Sequence, residues 1–176
     1  FYSPGHQYNS IIKASNMNSL SITNTTVANN FGLLSTPFST STIACDTSSL
    51  TVLNTIFYNP NLQSEIEGIN VNVQYSNVRG GYAGIGNIDA DPMFISPGDY
   101  RLQILSPCIN SGTLEGAPLT DIEGNPRPMP IGTNPDMGAY EDDDPSTSIQ
   151  ESTTNKNNIV VTPNPSSGTV LLQNIS

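Results

Sequence analysis

Tryptophan is absent, histidine occurs once, cysteine twice, and only five of the 176 residues are Lys or Arg. Each shortage excludes something. Five cations against fifteen carboxylates leave a formal net charge of −10, so the chain lacks the basic footprint that a phosphate backbone demands. It also lacks unaided attraction to an anionic lipid surface. The lone histidine, His6, has no partner of its kind, and no Gly-x-Ser-x-Gly elbow accompanies the many serines. His6 therefore reads as an exposed residue rather than a catalytic base. No apolar run approaches the length of a membrane span, and no charged and apolar leader of signal-peptide type is visible. Apolar residues spaced by three and four are missing over any long stretch, which removes amphipathic helices from consideration.

What is present is a repeat. Leu20-Ser-Ile22-Thr-Asn24-Thr25-Thr26-Val27 overlays Leu50-Thr-Val52-Leu-Asn54-Thr55-Ile56-Phe57 with a shift of 30 residues, and Val71-Asn-Val73-Gln-Tyr75-Ser76-Asn77-Val78 follows 21 residues later. Within each unit the apolar residues alternate, the mark of a strand with one buried face. Val, Ile, Thr, Ser and Asn dominate, which favours pleated backbone and turns over helix. Asn24 and Asn54 follow the first strand pair, where an Asn that tolerates the left-handed region suits a sharp bend. Strand, bend, strand, loop, repeated one layer up, predicts a right-handed parallel β-helix whose units bury their apolar faces on one another. An immunoglobulin-like sandwich is the rival, but it predicts no position-matched Asn bends. Extra residues such as Pro60 to Gly68 are expected to bulge from one corner.

The expected organisation is all-β: coils over 1–86, a loop-rich C-terminal cap over 87–141, a polar linker over 142–158 and a last segment over 159–176. Because the chain opens at Phe1 in mid-pattern, earlier coils of a longer protein are expected. The Gly-rich stretch Gly80 to Gly86 has no helix after it and reads as a tight loop rather than a phosphate cradle. In the cap, Phe94, Leu102, Ile104, Ile109, Met137 and Tyr140 are expected to lie over the last apolar layer. Asp89, Asp91, Asp121 and Asp136 are expected to bond turn backbone, with Arg127 pairing with one of them.

Few residues suggest chemistry. Asp89 and Asp91 are next-but-one neighbours, as a glycosidase pair would need, but Asp91 before Pro92 suits an extended or turn position. Asp121-x-Glu123-x-Asn125 offers oxygens at alternate positions around Gly124, a partial calcium loop without the distal bidentate Glu. Calcium is thus the one cofactor candidate. Tyr58, Tyr75 and Tyr82 could stack on sugar rings or pack within loops. Cys45 and Cys108 could bridge in an exported protein or be two small buried residues.

The ordered motifs Tyr75-Ser76-Asn77-Val78, Gly80-Gly81, Asn87-Ile88-Asp89-Ala90-Asp91-Pro92, Ser106-Pro107-Cys108-Ile109, Asp121 with Gly124-Asn125-Pro126-Arg127, and Asp136-Met137-Gly138-Ala139-Tyr140-Glu141 resemble the choice-of-anchor Q domain. That module ends right-handed β-helix proteins exported by bacteria, and its name carries no activity. The tail Ile159-Val-Val161-Thr-Pro163-Asn164-Pro165-Ser166-Ser167-Gly168 resembles the opening of the type IX secretion system C-terminal sorting domain of Bacteroidetes, which implies an incomplete, β-sandwich-like sorting domain over 159–176. The two resemblances imply a secreted or cell-surface location and contact with secretion and anchoring machinery. They leave two expectations for function: a non-catalytic adhesin or polysaccharide-binding module, or the C-terminal part of a polysaccharide lyase or glycoside hydrolase whose active coils lie upstream of Phe1. No nucleic acid and no membrane span belong to either.

Overall fold

A computed structural model describes residues 9–30, 40–46 and 49–142. His6, nearly all of the expected linker and the whole sorting segment lie outside them. The described residues are all-β, with eleven strands and no helix.

Nine of those strands form three parallel ladders. In the first, β1 (Asn9–Ala14), β4 (Thr40–Cys45) and β7 (Ser64–Gly68) lie side by side. In the second the order is β2 (Ser19–Thr23), β5 (Ser49–Leu53), β8 (Val71–Gln74), and in the third β3 (Thr26–Ala28), β6 (Ile56–Tyr58), β9 (Asn77–Val78). Leu20 pairs with Leu50 and Leu50 with Val71, the steps of 30 and 21 residues that the repeat predicts. Ile12 pairs with Ile43 and Ile43 with Ile66, so the first ladder steps by 31 and 23. The expected corner loop from Pro60 to Gly68 is therefore corrected: its second half is β7. Its sequence alternates Ser64, Ile66 and Gly68 just as β4 alternates Ser41, Ile43 and Cys45, and only 59–63 stay outside the strands.

The three ladders enclose one core. Ile43, Leu50, Val52, Phe57, Val73 and Val78 are each at most 1% exposed and pack together, with Ile12, Leu20, Val27 and Ile66 completing their columns. Burying side chains of this size contributes roughly 1.5–3 kcal/mol each, so the inward columns dominate the stability of the stack. Between the second and third strands of every rung the backbone enters the left-handed region: φ is 44° at Asn24, 49° at Asn54 and 47° at Tyr75. The next residue carries a hydroxyl that ties the rungs together. Thr25 N donates to Thr55 Oγ1 at 3.4 Å, Thr55 N to Ser76 Oγ at 3.1 Å, and Ser76 N to Asn87 Oδ1 at 3.0 Å. Asn87 thus ends a column of hydroxyls with an amide oxygen.

Asn87 belongs to the glycine-rich loop, and that loop covers the last rung. Tyr75 N donates to Ile85 O, Val78 N to Ile88 O, and Asn87 Nδ2 to Val73 O, while Tyr82 packs against the stack interior. Of the cap expected over 87–141, the start does cover this layer, with Asn87, Ile88 and Ala90 bonded to the last rung, and the rest lies elsewhere. After the antiparallel hairpin of β10 (Phe94–Ser96) and β11 (Asp99–Leu102), residues 106–142 run along the flank formed by the third ladder. Leu102, Cys108 and Met137 bury themselves with Ile56, joined by Phe94, Ile109, Tyr58 and Ile88. Of the expected capping residues, Ile104 is 57% exposed and takes no part. The segment is a brace: it reaches Asn24 and Thr26 on one rung, Asn54 on the next and Asn77 on the third.

Candidate functional site

The brace is held to the stack by amide side chains, two at the ladder bends (Asn24 and Asn54) and one in β9 (Asn77). Asn54 is fully buried. Its Nδ2 donates to Thr113 O at 2.8 Å and to Asn24 Oδ1 at 3.2 Å, and its Oδ1 accepts from Thr113 N at 2.8 Å. Gly138 N donates to Asn54 O, Asn24 Nδ2 to Asp136 O, and Ala139 N to Thr26 Oγ1. One rung further, Asn77 Nδ2 donates to Ala90 O and to Cys108 Sγ.

Behind these contacts sits a buried polar cluster. Asp136 is 0% exposed; its Oδ1 accepts from Asn110 N at 2.7 Å and its Oδ2 from Asp142 N at 2.9 Å. Glu141 accepts from Met129 N and Asp136 N. Asp121 accepts from the backbone of Glu123, Asn125 and Glu141 and from the Asn125 amide. Arg127 donates through Nη1 to the carbonyls of Asp136 and Gly138 and lies 3.4 Å from Glu141. The expectation that Arg127 pairs with one of the aspartates is corrected: its charge partner is Glu141, and Asp136 meets it only through a main-chain oxygen. Burial pushes the Asp136 carboxyl up to about 7, against its two backbone hydrogen bonds and reinforced by Glu141 and Asp142. Burial raises Glu141 and Asp142 as well. Asp121 runs the other way: burial alone would raise it, but its donors together hold it below the usual carboxylate range.

A second polar hub closes the turn between β6 and β7. Buried Glu65 accepts from Asn59 N at 2.6 Å, from Asn59 Nδ2 at 2.8 Å and from the Thr42 hydroxyl. Asn59 Nδ2 also donates to Val27 O, and Asn59 Oδ1 accepts from Asn30. One amide thereby links strands of all three rungs. A buried carboxylate stays tolerable when its lone pairs are filled in this way.

The sequence-derived candidates fall as follows. Asp89 accepts from Gly80 N and Asp91 from Met93 N, so both carboxylates serve turns. Asp121, Glu123 and Asn125 form one tight turn in which Asp121 takes donors at both oxygens. Among the described residues no group of three or more His, Cys, Asp or Glu is arranged to hold a metal ion. Tyr58, Tyr75 and Tyr82 are half-buried and separate. Tyr58 packs on the brace, Tyr82 on the stack interior, and Tyr75 against Gly86, where an added Cβ would stand 2.4 Å from the ring. No two of them make a stacking platform. Cys45 and Cys108 are buried in different clusters and are not joined.

One surface was not singled out by residue in the sequence. On the outer face of the second ladder, Ser21, Thr51 and Asn72 stand in register, with Ser19 beside Ser49, and all five are exposed. The strands bring these groups to a spacing of about 4.8 Å along the stacking axis. No charged residue lies on the strands of that ladder. The pattern was legible, since these are the polar partners of the alternating apolar residues.

No helix among the described residues is long and apolar enough to cross a membrane. Compared with protein-family models, with curated proteins and with solved structures, the chain matches none of them.

Proposed function

We propose that this chain is the C-terminal part of an exported, cell-surface right-handed parallel β-helix of the choice-of-anchor type, and that it acts without catalysis by holding neutral polysaccharide. Three ladders in register around one core support the β-helix reading. The single observation that carries the binding reading is the exposed Ser21–Thr51–Asn72 row. Short uncharged donors and acceptors repeated at rung spacing match the hydroxyls of a glycan chain laid along the axis. The acidic net charge disfavours uronate or sulfate chains by like-charge repulsion. The sorting-domain resemblance of 159–176 supports surface display.

The experiment is titration of the full chain with soluble neutral and acidic polysaccharides, followed by assay for reducing ends and unsaturated products. Binding is expected to neutral chains alone, to persist in high salt and to be lost in Thr51→Glu. No cleavage is expected. Binding that is unchanged in Thr51→Glu, or any new chain end, overturns the proposal.

A further inference from the structure

The brace meets the stack through a carboxyl that has no cation of its own. Asp136 is fully buried, and each of its oxygens accepts one backbone N–H. Around it stand Glu141 and Asp142 from its own segment, Asp121 from the preceding turn and Arg127. Cys108, from the start of the brace, is the remaining titratable group near it. The single guanidinium makes no hydrogen bond or ion pair with the Asp136 carboxyl: its Nη1 donates to the Asp136 and Gly138 carbonyls, and its ion pair is with Glu141. An ionised carboxylate in this position is desolvated, flanked by like charge and given only two donors, so the closed brace favours the neutral form. The main chain of the same residue accepts Asn24 Nδ2. The protonation state of Asp136 and the seating of the brace on the ladder are therefore joined within one residue.

We propose that Asp136 makes the brace a proton-sensitive latch, fastened on the Asn24–Asn54 pair when its carboxyl is neutral and loosened when it ionises. In an opened brace the carboxyl returns to an ordinary value near 3.8, whereas closed it sits at about 7. Between these limits the closed form binds the extra proton, so closure weakens as pH rises through that window and levels above it. Glu141 and Asp142, also raised, act in the same direction. Asp121 acts oppositely but only at lower pH, and Arg127 titrates far above.

The test is amide hydrogen exchange of the full chain between pH 5 and 8, corrected for intrinsic base catalysis, read at Asn110 and Asp142 in the brace and at Val52 and Val73 in the stack. Brace protection is expected to fall by up to about tenfold per pH unit below pH 7 and then to level, while stack protection holds. A flat brace profile, or brace and stack falling together, overturns the latch. Asp136→Asn is expected to reduce the slope to the smaller part that Glu141 and Asp142 supply, and an unchanged slope overturns the proposal. Because an amide offers one oxygen where two donors converge, a carboxyl-carbon NMR titration of the unaltered chain accompanies it: a midpoint near 7 is expected, and one near 4 overturns the proposal.

Discussion

Asn54 stands directly over Asn24, with its Nδ2 donating to the Asn24 Oδ1 across 3.2 Å, 30 residues apart in the chain. The same two residues carry the left-handed bends of successive rungs and the docking contacts of the brace. Backbone conformation, rung stacking and flank attachment are thus asked of one residue type, and Asn combines tolerance of positive φ with a side chain that offers both a donor and an acceptor.

Substitution at Asn54 separates these demands. Asn54→Ala removes three hydrogen bonds of a fully buried side chain and leaves a Cβ without a compensating polar group at φ 49°. A loss of about 4 kcal/mol in urea unfolding is expected. Asn54→Gly keeps the same losses but relaxes the backbone, and should be milder by about 1 kcal/mol. Equal losses would mean that the bend is unstrained and that only the hydrogen bonds matter.

The loop over the last rung has its own sensitive point. A Cβ at Gly84 would lie 1.9 Å from Val73 O, and the backbone there cannot yield without releasing the Asn87 bond to the same carbonyl. Gly84→Ala is expected to cost about 3 kcal/mol and to speed exchange of the Tyr75 and Val78 amides. Gly124→Ala serves as the comparison, since nothing lies within 4 Å of its Cβ and φ is +90°; there only the backbone cost of about 1 kcal/mol applies. If the two variants unfold alike, the loop is not packed on the rung.

Cys108 supplies an alkaline signature. Burial pushes its thiol up to about 11, opposed by hydrogen bonds from Asn77 and Ser106. A folded value above the unfolded 9.0 means that its contribution is complete below about pH 9 and is lost as pH rises towards 11. Wild type should therefore lose more stability than Cys108→Ala over that interval, measured as the difference between their thermal midpoints at pH 8.5 and 10.5. Parallel profiles would place the thiol in contact with solvent.

The second and third ladders were legible because their apolar alternation repeats at matching offsets. The first was not, although Ser10-x-Ile12-x-Ala14, Ser41-x-Ile43-x-Cys45 and Ser64-x-Ile66-x-Gly68 repeat the same alternation. Its steps of 31 and 23 differ from 30 and 21, because connections of unequal length intervene within each rung, and a fixed-shift overlay loses it. Gly68 also misled. A glycine reads as a loop signal, yet here a Cβ would meet Cys45 O at 2.8 Å, so the strand needs glycine for room. The brace was legible as turns held by aspartates but not as a flank. Its placement depends on Asn24 and Asn54, whose bends turn side chains in ways that alternation does not encode, and on Asn77 in β9. The buried pairing of Arg127 with Glu141 is tertiary throughout and left no local pattern, and the exposed Ser21–Thr51–Asn72 row needed only the polar half of the repeat to be followed.

Stacked repeats ordinarily hold only their neighbours, so that an end unit can fray while the rest endures. Here a single strap is fastened to three levels at once, at Thr26, Asn54 and Asn77. Peeling one level from the pile means unfastening the strap from its neighbours too. While the strap is fastened, the rungs should melt as one block rather than plank by plank, and a pull along their axis would be shared across the strap instead of falling on the outermost turn.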